Sequence, residues 1–331
     1  MARITVGYAQ SKTYNKMTDN TVNHSLATDN TSAPLFSILI PSWNNLPYLK
    51  LCVKSIRENS DYRHQIIVHV NESTDGTLQW VKSEGIDYTY SKHNVGVCLA
   101  MNMMRTKVKT QYMLYLNDDM YLLPGWDKVM YDEVKRLGTK FFYLSASVIQ
   151  PHHHPGGCTG WLGDYGDTPG NFQEQRLLKE YASFASSDWR GATRPPVLVH
   201  RDVWDLVGGY SIELTPGMGS DPDFTAKLLF VGVKHLKGLA KCRAYHFESK
   251  TTAVVRKNKY VPQFLFKWGM LNSSMRRHVT FLGISCDSRV QPERHRLALT
   301  AERWRARLKA VFYAIKGDYG ALHRLDDGME W

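Results

Sequence analysis

Tyr112-Met113-Leu114-Tyr115-Leu116-Asn117-Asp118-Asp119-Met120 is a strand-prone apolar run that stops at two adjacent carboxylates. Five apolar or aromatic residues precede Asn117 and a Pro124-Gly125 breaker follows, so the stretch reads as a buried strand running into a loop. An open α/β sheet binds its ligands outside the carboxyl ends of its strands, where this arrangement delivers Asp118 and Asp119. Hard divalent cations such as Mg²⁺ or Mn²⁺ take carboxylate oxygens and bridge to phosphates. From these residues alone a second reading stays open, in which the carboxylates cap a helix beginning near Pro124.

The flanking chain repeats the same grammar. Leu35 to Ile40 reads as a strand closed by Pro41, and Leu46, Leu49, Val53 and Ile56 recur at helical spacing up to Asn59. Gln65 to Val70 is a second strand that ends in the loop Asn71–Thr77, with a helix around Leu78 to Val81. Asp87 to Tyr90 is a short third strand, and Asn94-Val95-Gly96 opens a helix carrying Ala100, Met101 and Met104. Strands alternating with helices across short connections predict a doubly wound parallel sheet covered on both faces.

Beyond Leu137 the pattern changes. Phe141 to Ile149 is another apolar run, but 151–172 is rich in Gly, Pro, His and Asp, and such segments in folded chains carry function. Pro196 to His200 predicts a strand, Asp202 to Val207 a helix, and Gly208-Gly209-Tyr210 a turn. Asp221-Pro222-Asp223-Phe224 opens a further helix, with Asp221 suited to its N-cap and Asp223 to its first turn. A last strand over 239–247 carries His246. The consecutive His152-His153-His154 converge poorly on one ion and read as a solvent-facing turn.

The 331-residue chain is 43% hydrophobic and has no apolar run near the ~18 residues that span a bilayer. Residues 11–33 are polar and residues 1–34 lack a secretory core, so a flexible leader over 1–34 is expected. Five scattered cysteines argue against a disulfide framework or zinc site and for a reducing cytoplasm. The net charge of +11 is concentrated in the tail, where Lys250 to Trp331 holds sixteen Lys and Arg against seven Asp and Glu. There Trp304, Leu308, Val311 and Ile315 form an apolar stripe among arginines. It reads first as a helix docked on the domain, and alternatively as a helix resting on a cytoplasmic, anionic membrane face. No nucleic-acid-binding motif accompanies it.

Strand-Pro41, Ser73-Thr74-Asp75-Gly76-Thr77, Asn94-x-Gly96, Asn117-Asp118-Asp119, Gly208-Gly209-Tyr210, Ser220-Asp221-x-Asp223 and His246 occur in that order. The ordered set resembles the family-2 glycosyltransferases of GT-A fold over roughly residues 35–250. The resemblance implies a Rossmann-like, doubly wound mixed sheet: a nucleotide-sugar half (35–137), an acceptor half (138–250) and a basic helical C-terminal extension (251–331). It also implies an inverting, metal-dependent transfer from a nucleoside diphosphate sugar, normally a UDP-sugar, to a glycan or glycolipid hydroxyl. Pro41, Ser42, Asn44, Asn71, Asp75, Asn94 and Asp118 would then line the nucleotide site. Asp119 and His246 would hold Mn²⁺ or Mg²⁺, and Asp221 would be the general base. One departure is Val70-Asn71 where the family usually carries a base-contacting Asp; an Asn side chain still offers a donor and an acceptor. Trp161, Asp164 and Trp189 are candidates for acceptor recognition, by aromatic faces and carboxylates on sugar rings.

Two other classes use a related scaffold. A sugar nucleotidyltransferase needs a glycine-rich basic loop after the first strand, whereas residues 41–50 contain no glycine and only Lys50. A non-catalytic glycan-binding protein of the same fold has no need of the carboxylates, which are present.

Overall fold

The structure is a computed structural model that describes residues 33–152, 160–184, 187–192, 194–248 and 259–318. Its first half runs β1 (Phe36–Trp43), α1 (Leu46–Asn59), β2 (Gln65–Asn71), α2 (Thr77–Ser83), β3 (Asp87–Ser91), α3 (Gly96–Arg105) and β4 (Tyr112–Tyr115). Then come β5 (Met120–Leu122), α4 (Trp126–Leu137), β6 (Phe142–Gln150), β7 (Gly160–Leu162), α5 (Glu174–Glu180), β8 (Trp189–Arg190) and β9 (Val197–His200). The chain continues through α6 (Arg201–Leu206), α7 (Ser220–Phe230), β10 (His235–His246), α8 (Tyr260–Trp268), α9 (Asn272–His278) and α10 (Pro292–Ile315).

The strands are apolar on both faces because each face meets its own helical layer. Ile38 and Ile40 of β1 join Leu49 and Val53 of α1 and Trp126 of α4, while Leu39 joins Met101 of α3 and Phe224 of α7. The same period of two divides Leu114 from Met113 and Tyr115 in β4, and Leu144 from Tyr143 in β6. Such double burial turns an alternating pattern into a continuous apolar run.

Strand order is β3-β2-β1-β4-β9-β6-β10-β5, with β7 beside β6 and β8 beside β10. β3, β2, β1 and β4 are mutually parallel, and β6 pairs parallel to β10. β9 is antiparallel to both β4 and β6, and β5 and β8 are antiparallel to β10, so the sheet is mixed and mostly parallel. The winding reverses between β1 and β4, which opens a crevice at their carboxyl ends.

Several local expectations change. Asp118 and Asp119 do not cap α4, because the three-residue β5 intervenes and Gly125, at φ 78, stands at the N-cap. Asp221 is likewise not a cap: Gly219, at φ 83, precedes α7 and leaves Asp221 in the first turn. Within 151–172, Gly160–Leu162 forms β7 and His152 is exposed beside Glu248 (2.9 Å), while His153 and His154 lie outside the described residues. Residues 1–32 of the expected leader lie outside them too.

The C-terminal stripe is the largest reversal. Trp304, Leu308, Val311 and Ile315 are 60%, 73%, 57% and 81% exposed, and it is the opposite face of α10, centred on the buried Ala306, that meets the body. Among the described residues no helix is long and apolar enough to cross a membrane.

Candidate active site

A cleft of about 500 Å³ opens at the point where the winding reverses. Pro41, Ser42 and Trp43 come from the end of β1, Asn71 from the end of β2, and Asn117, Asp118 and Asp119 from the turn after β4. Asp221 enters from α7, His246 from the end of β10, and Trp189 and Arg194 from the segment between β7 and β9. Of the residues singled out in the sequence, Pro41, Ser42, Asn71, Asn94, Asp118, Asp119, Trp189, Asp221 and His246 share this wall.

Antiparallel pairing of β5 with β10 sets Met120 opposite His246, and the amide of Phe247 donates to the carbonyl of Asp119 at 3.0 Å. That register brings His246 Nε2 to 3.3 Å from Asp119 Oδ2 across 127 positions of sequence. Burial alone would lower the imidazole pKa; the charge and hydrogen bond of Asp119, helped by Glu248, outweigh it and the net shift is upward. Asp118 is pushed up to about 7 by burial and by the charge of Asp119. Ser42 and Asn45 lean toward it and pull the other way, although neither Ser42 Oγ nor Asn45 Nδ2 closes a hydrogen bond.

Asp221 is held differently. Its carboxyl is raised to about 6 by burial, against the opposing influence of Arg194 and of Tyr210, whose hydroxyl donates to Oδ1 at 3.2 Å. Tyr210 is itself clamped from α3: Asn102 Nδ2 donates to the Tyr210 carbonyl (2.8 Å), and Asn102 Oδ1 accepts from its amide (2.9 Å). A side chain at Gly209, φ 64, would fall on the Asn102 amide, which accounts for a glycine before that tyrosine. Asn102 carried no signal in the sequence beyond being a polar residue on an otherwise apolar helix face.

The Asn94-x-Gly96 pair shapes the opposite wall. Asn94 Oδ1 accepts from the amide of Gly96 (2.9 Å), and Asn71 Oδ1 accepts from the amide of Val95 (2.9 Å). Gly96 has φ 73, and a Cβ there would come within 2.7 Å of the Pro216 backbone, so the cleft closes only with glycine.

Other singled-out residues sit off the cleft. Asn44 Oδ1 accepts from the amide of Thr74 (2.7 Å), and Asp75 accepts from the amides of Leu46 (2.8 Å) and Thr77 (3.1 Å). These two tie the β1 and β2 loops to the start of α1 and are absent from the cleft lining. Trp161 packs against Phe184 and beneath the guanidinium of Arg243, and Asp164 closes a turn onto the amide of Gly166 (3.0 Å). Trp189 reaches the cleft with only 7% of its surface exposed, because its ring packs directly on Gly238 and its Nε1 donates to Ser147 Oγ (3.2 Å). Arg194, Tyr115, Gln150, Glu248 and Leu282 also line the cleft without having been anticipated.

Residues 37–194 match the family model described as Glycosyl transferase family 2. The chain carries a glycosyl transferase family 2 domain. A curated relative, the putative teichuronic acid biosynthesis glycosyltransferase TuaG of Bacillus subtilis (strain 168), is 29% identical over 91 residues. That match takes in 26% of this chain and 36% of TuaG, so the likeness spans about a third of the relative's length. Among solved structures, S. aureus TarS 1-349 superposes with a TM-score of 0.51 at 13% identity, covering 90% of this chain and 93% of that one. Longer S. aureus TarS gives 0.50 at 14% identity over 79% and 41%. At such identities the likeness is one of fold, the mixed α/β GT-A arrangement. The family-2 domain as matched includes Asp118 and Asp119 but ends before Asp221 and His246, which α7 and β10 return to the same cleft.

Proposed function

We propose that the cleft transfers a sugar, with inversion, from a nucleoside diphosphate sugar to a hydroxyl of a glycan or glycolipid acceptor. The observation that carries this is the gathering of Asp118, Asp119, His246 and Asp221 around one cleft at the switch point of a family-2 domain. Pro41, Ser42, Asn71 and Asn94 would line the nucleotide side, with uridine the base that the resemblance favours. Arg194 adds positive charge inside the cleft, which suits an anionic donor.

Among the described residues no cluster of three His, Cys, Asp or Glu side chains has metal-binding geometry. A hard cation such as Mn²⁺ or Mg²⁺ is often held by one or two protein groups plus substrate phosphates, so Asp119 Oδ2 and His246 Nε2 fit it as an open pair. When bound, the cation supplies positive charge that offsets the charge developing on the departing diphosphate. Asp221 would take the proton of the attacking hydroxyl as its oxygen bonds the anomeric carbon and the bond to the diphosphate breaks. Similarity to the putative teichuronic acid biosynthesis glycosyltransferase TuaG supports a polysaccharide acceptor.

The test is nucleotide release from a panel of UDP- and GDP-sugars, with and without Mn²⁺. Asp119→Asn and Asp221→Asn are each expected to lower transfer by about 10²-fold or more. Asp221→Asn should leave calorimetric donor binding intact, whereas Asp119→Asn should weaken its metal-dependent part. Transfer at the wild-type rate in both variants would overturn the assigned roles, and metal-independent donor binding would remove the cation from them.

A further inference from the structure

Helix α10 has two faces with different partners. His295, Glu302 and Ala306 point inward: the rings of His295 and His278 meet at Nδ1 atoms 3.1 Å apart, and Glu302 lies 3.3 Å from His278 Nε2. One half-turn round, Leu297, Trp304, Leu308, Val311 and Ile315 recur at spacings of three, four and seven, every one more than half exposed. Phe312 extends the stripe at 52% exposure.

Arginines border this stripe on both sides, with Arg296, Arg303 and Arg307 along one flank and Arg294 and Arg305 along the other. The Arg307 guanidinium lies 4.7 Å from the Trp304 ring centroid and the Lys316 ammonium 4.4 Å from that of Phe312, so both cations sit at the level of the apolar side chains. Of the two acidic residues on the helix, Glu302 faces inward and Glu293 stands in the first turn. A second copy laid on the stripe would set arginine flanks against arginine flanks with almost no carboxylate to pair them. An anionic lipid surface meets both features, taking the apolar stripe at the acyl boundary and the arginines at its headgroups.

We propose that the outward face of α10 docks this protein on membranes rich in anionic phospholipid. The helix lies in the plane of the surface and does not span it, since its inward face is occupied by the body. The reading is independent of the sugar transfer proposed above, and its assay needs neither donor nor acceptor.

Flotation of the full chain with vesicles of equimolar phosphatidylcholine and phosphatidylglycerol, against vesicles of phosphatidylcholine alone, tests it. Binding to the mixed vesicles is expected to be at least ~10-fold tighter and to weaken at high salt. The variant Leu308→Gln/Val311→Gln, at exposed positions, should keep the wild-type melting temperature and lose flotation. Arg303→Gln/Arg305→Gln/Arg307→Gln should lose the preference for phosphatidylglycerol. Absence of wild-type flotation, equal binding to both vesicles, or undiminished flotation of Leu308→Gln/Val311→Gln would overturn the proposal. So would a wild-type dimer in sedimentation that Leu308→Gln/Val311→Gln converts to monomer, because the stripe would then belong to a second copy.

Discussion

Asp221 and Asp118 are both buried carboxyls with raised pKa, yet they predict opposite experiments. Asp221 stands at about 6 and must be ionised to accept a proton, so kcat/KM is expected to fall about tenfold per unit below pH ~6. The Tyr210 hydroxyl favours the ionised form, so Tyr210→Phe should move that acid limb to higher pH while leaving donor binding unchanged. A profile superimposable on wild type would contradict the hydrogen bond's influence. Asp118 is raised from 3.8 to about 7 by burial and the charge of Asp119, so between those values the folded state holds a proton that the unfolded state releases. Stability therefore declines as pH rises through that window, and the penalty is complete above about 7. In chelator-treated buffer Asp118→Asn should melt a few degrees above wild type at about pH 8, with the gap closing toward pH ~4. A gap independent of pH would refute the assignment.

At the level of elements, the strands and helices of the first half were legible because each follows a local period. Val68, Leu114 and Leu144 announce buried strands, and Leu49, Val53 and Ile56 announce an amphipathic helix. The three residues of β5 were not legible, since so short a strand exists only by pairing with β10. Losing β5 from the reading also left the capping role of Asp118 and Asp119 open. Glycines illustrate the same limit. Gly238 is an unremarkable residue within β10 in the sequence, but Trp189 of β8 packs upon it and a Cβ would collide with the indole Cε2. Gly238→Ala is expected to cost about 1–3 kcal/mol through overpacking, to change the near-ultraviolet circular dichroism of tryptophan, and to loosen a wall of the cleft. Unchanged melting and spectrum would show that β8 yields without cost.

Across the whole molecule, the C-terminal region is bound to the body through Asp223, the carboxylate that the sequence places in the first turn of α7. Asp223 is 1% exposed and accepts from Ser211 Oγ (2.6 Å) and Trp268 Nε1 (2.8 Å), with Lys267 Nζ at 2.9 Å. It therefore joins α7 to α8, one residue beyond Pro222 from Asp221, the carboxylate proposed as base. Asp223→Ala leaves the Trp268 donor and part of the Lys267 charge without their partner. An expected loss of about 3 kcal/mol would appear in a denaturant midpoint. Wild-type stability in this variant would mean that α8 is held by its apolar contacts alone. The segment after α9 continues the attachment, because Ser285 bridges to Trp189 and Leu282 lines the cleft.

By itself the sequence determined the α/β class, the elements of the first half, and the identity of the paired carboxylates. Burial on two faces and helical periodicity are written in neighbouring residues, and an ordered set of motifs survives without coordinates. That Asp119 meets His246 was implied by the family resemblance; only the tertiary structure decided the strand register that brings them together, that Asn102 steadies Tyr210 beneath Asp221, and that Asn44 and Asp75 serve loops instead of the cleft. It alone also showed which side of α10 faces outward. These outcomes depend on strand order, on antiparallel register and on competition between two amphipathic faces for one docking site. All three are settled by contacts between residues far apart in the chain, which no local pattern encodes.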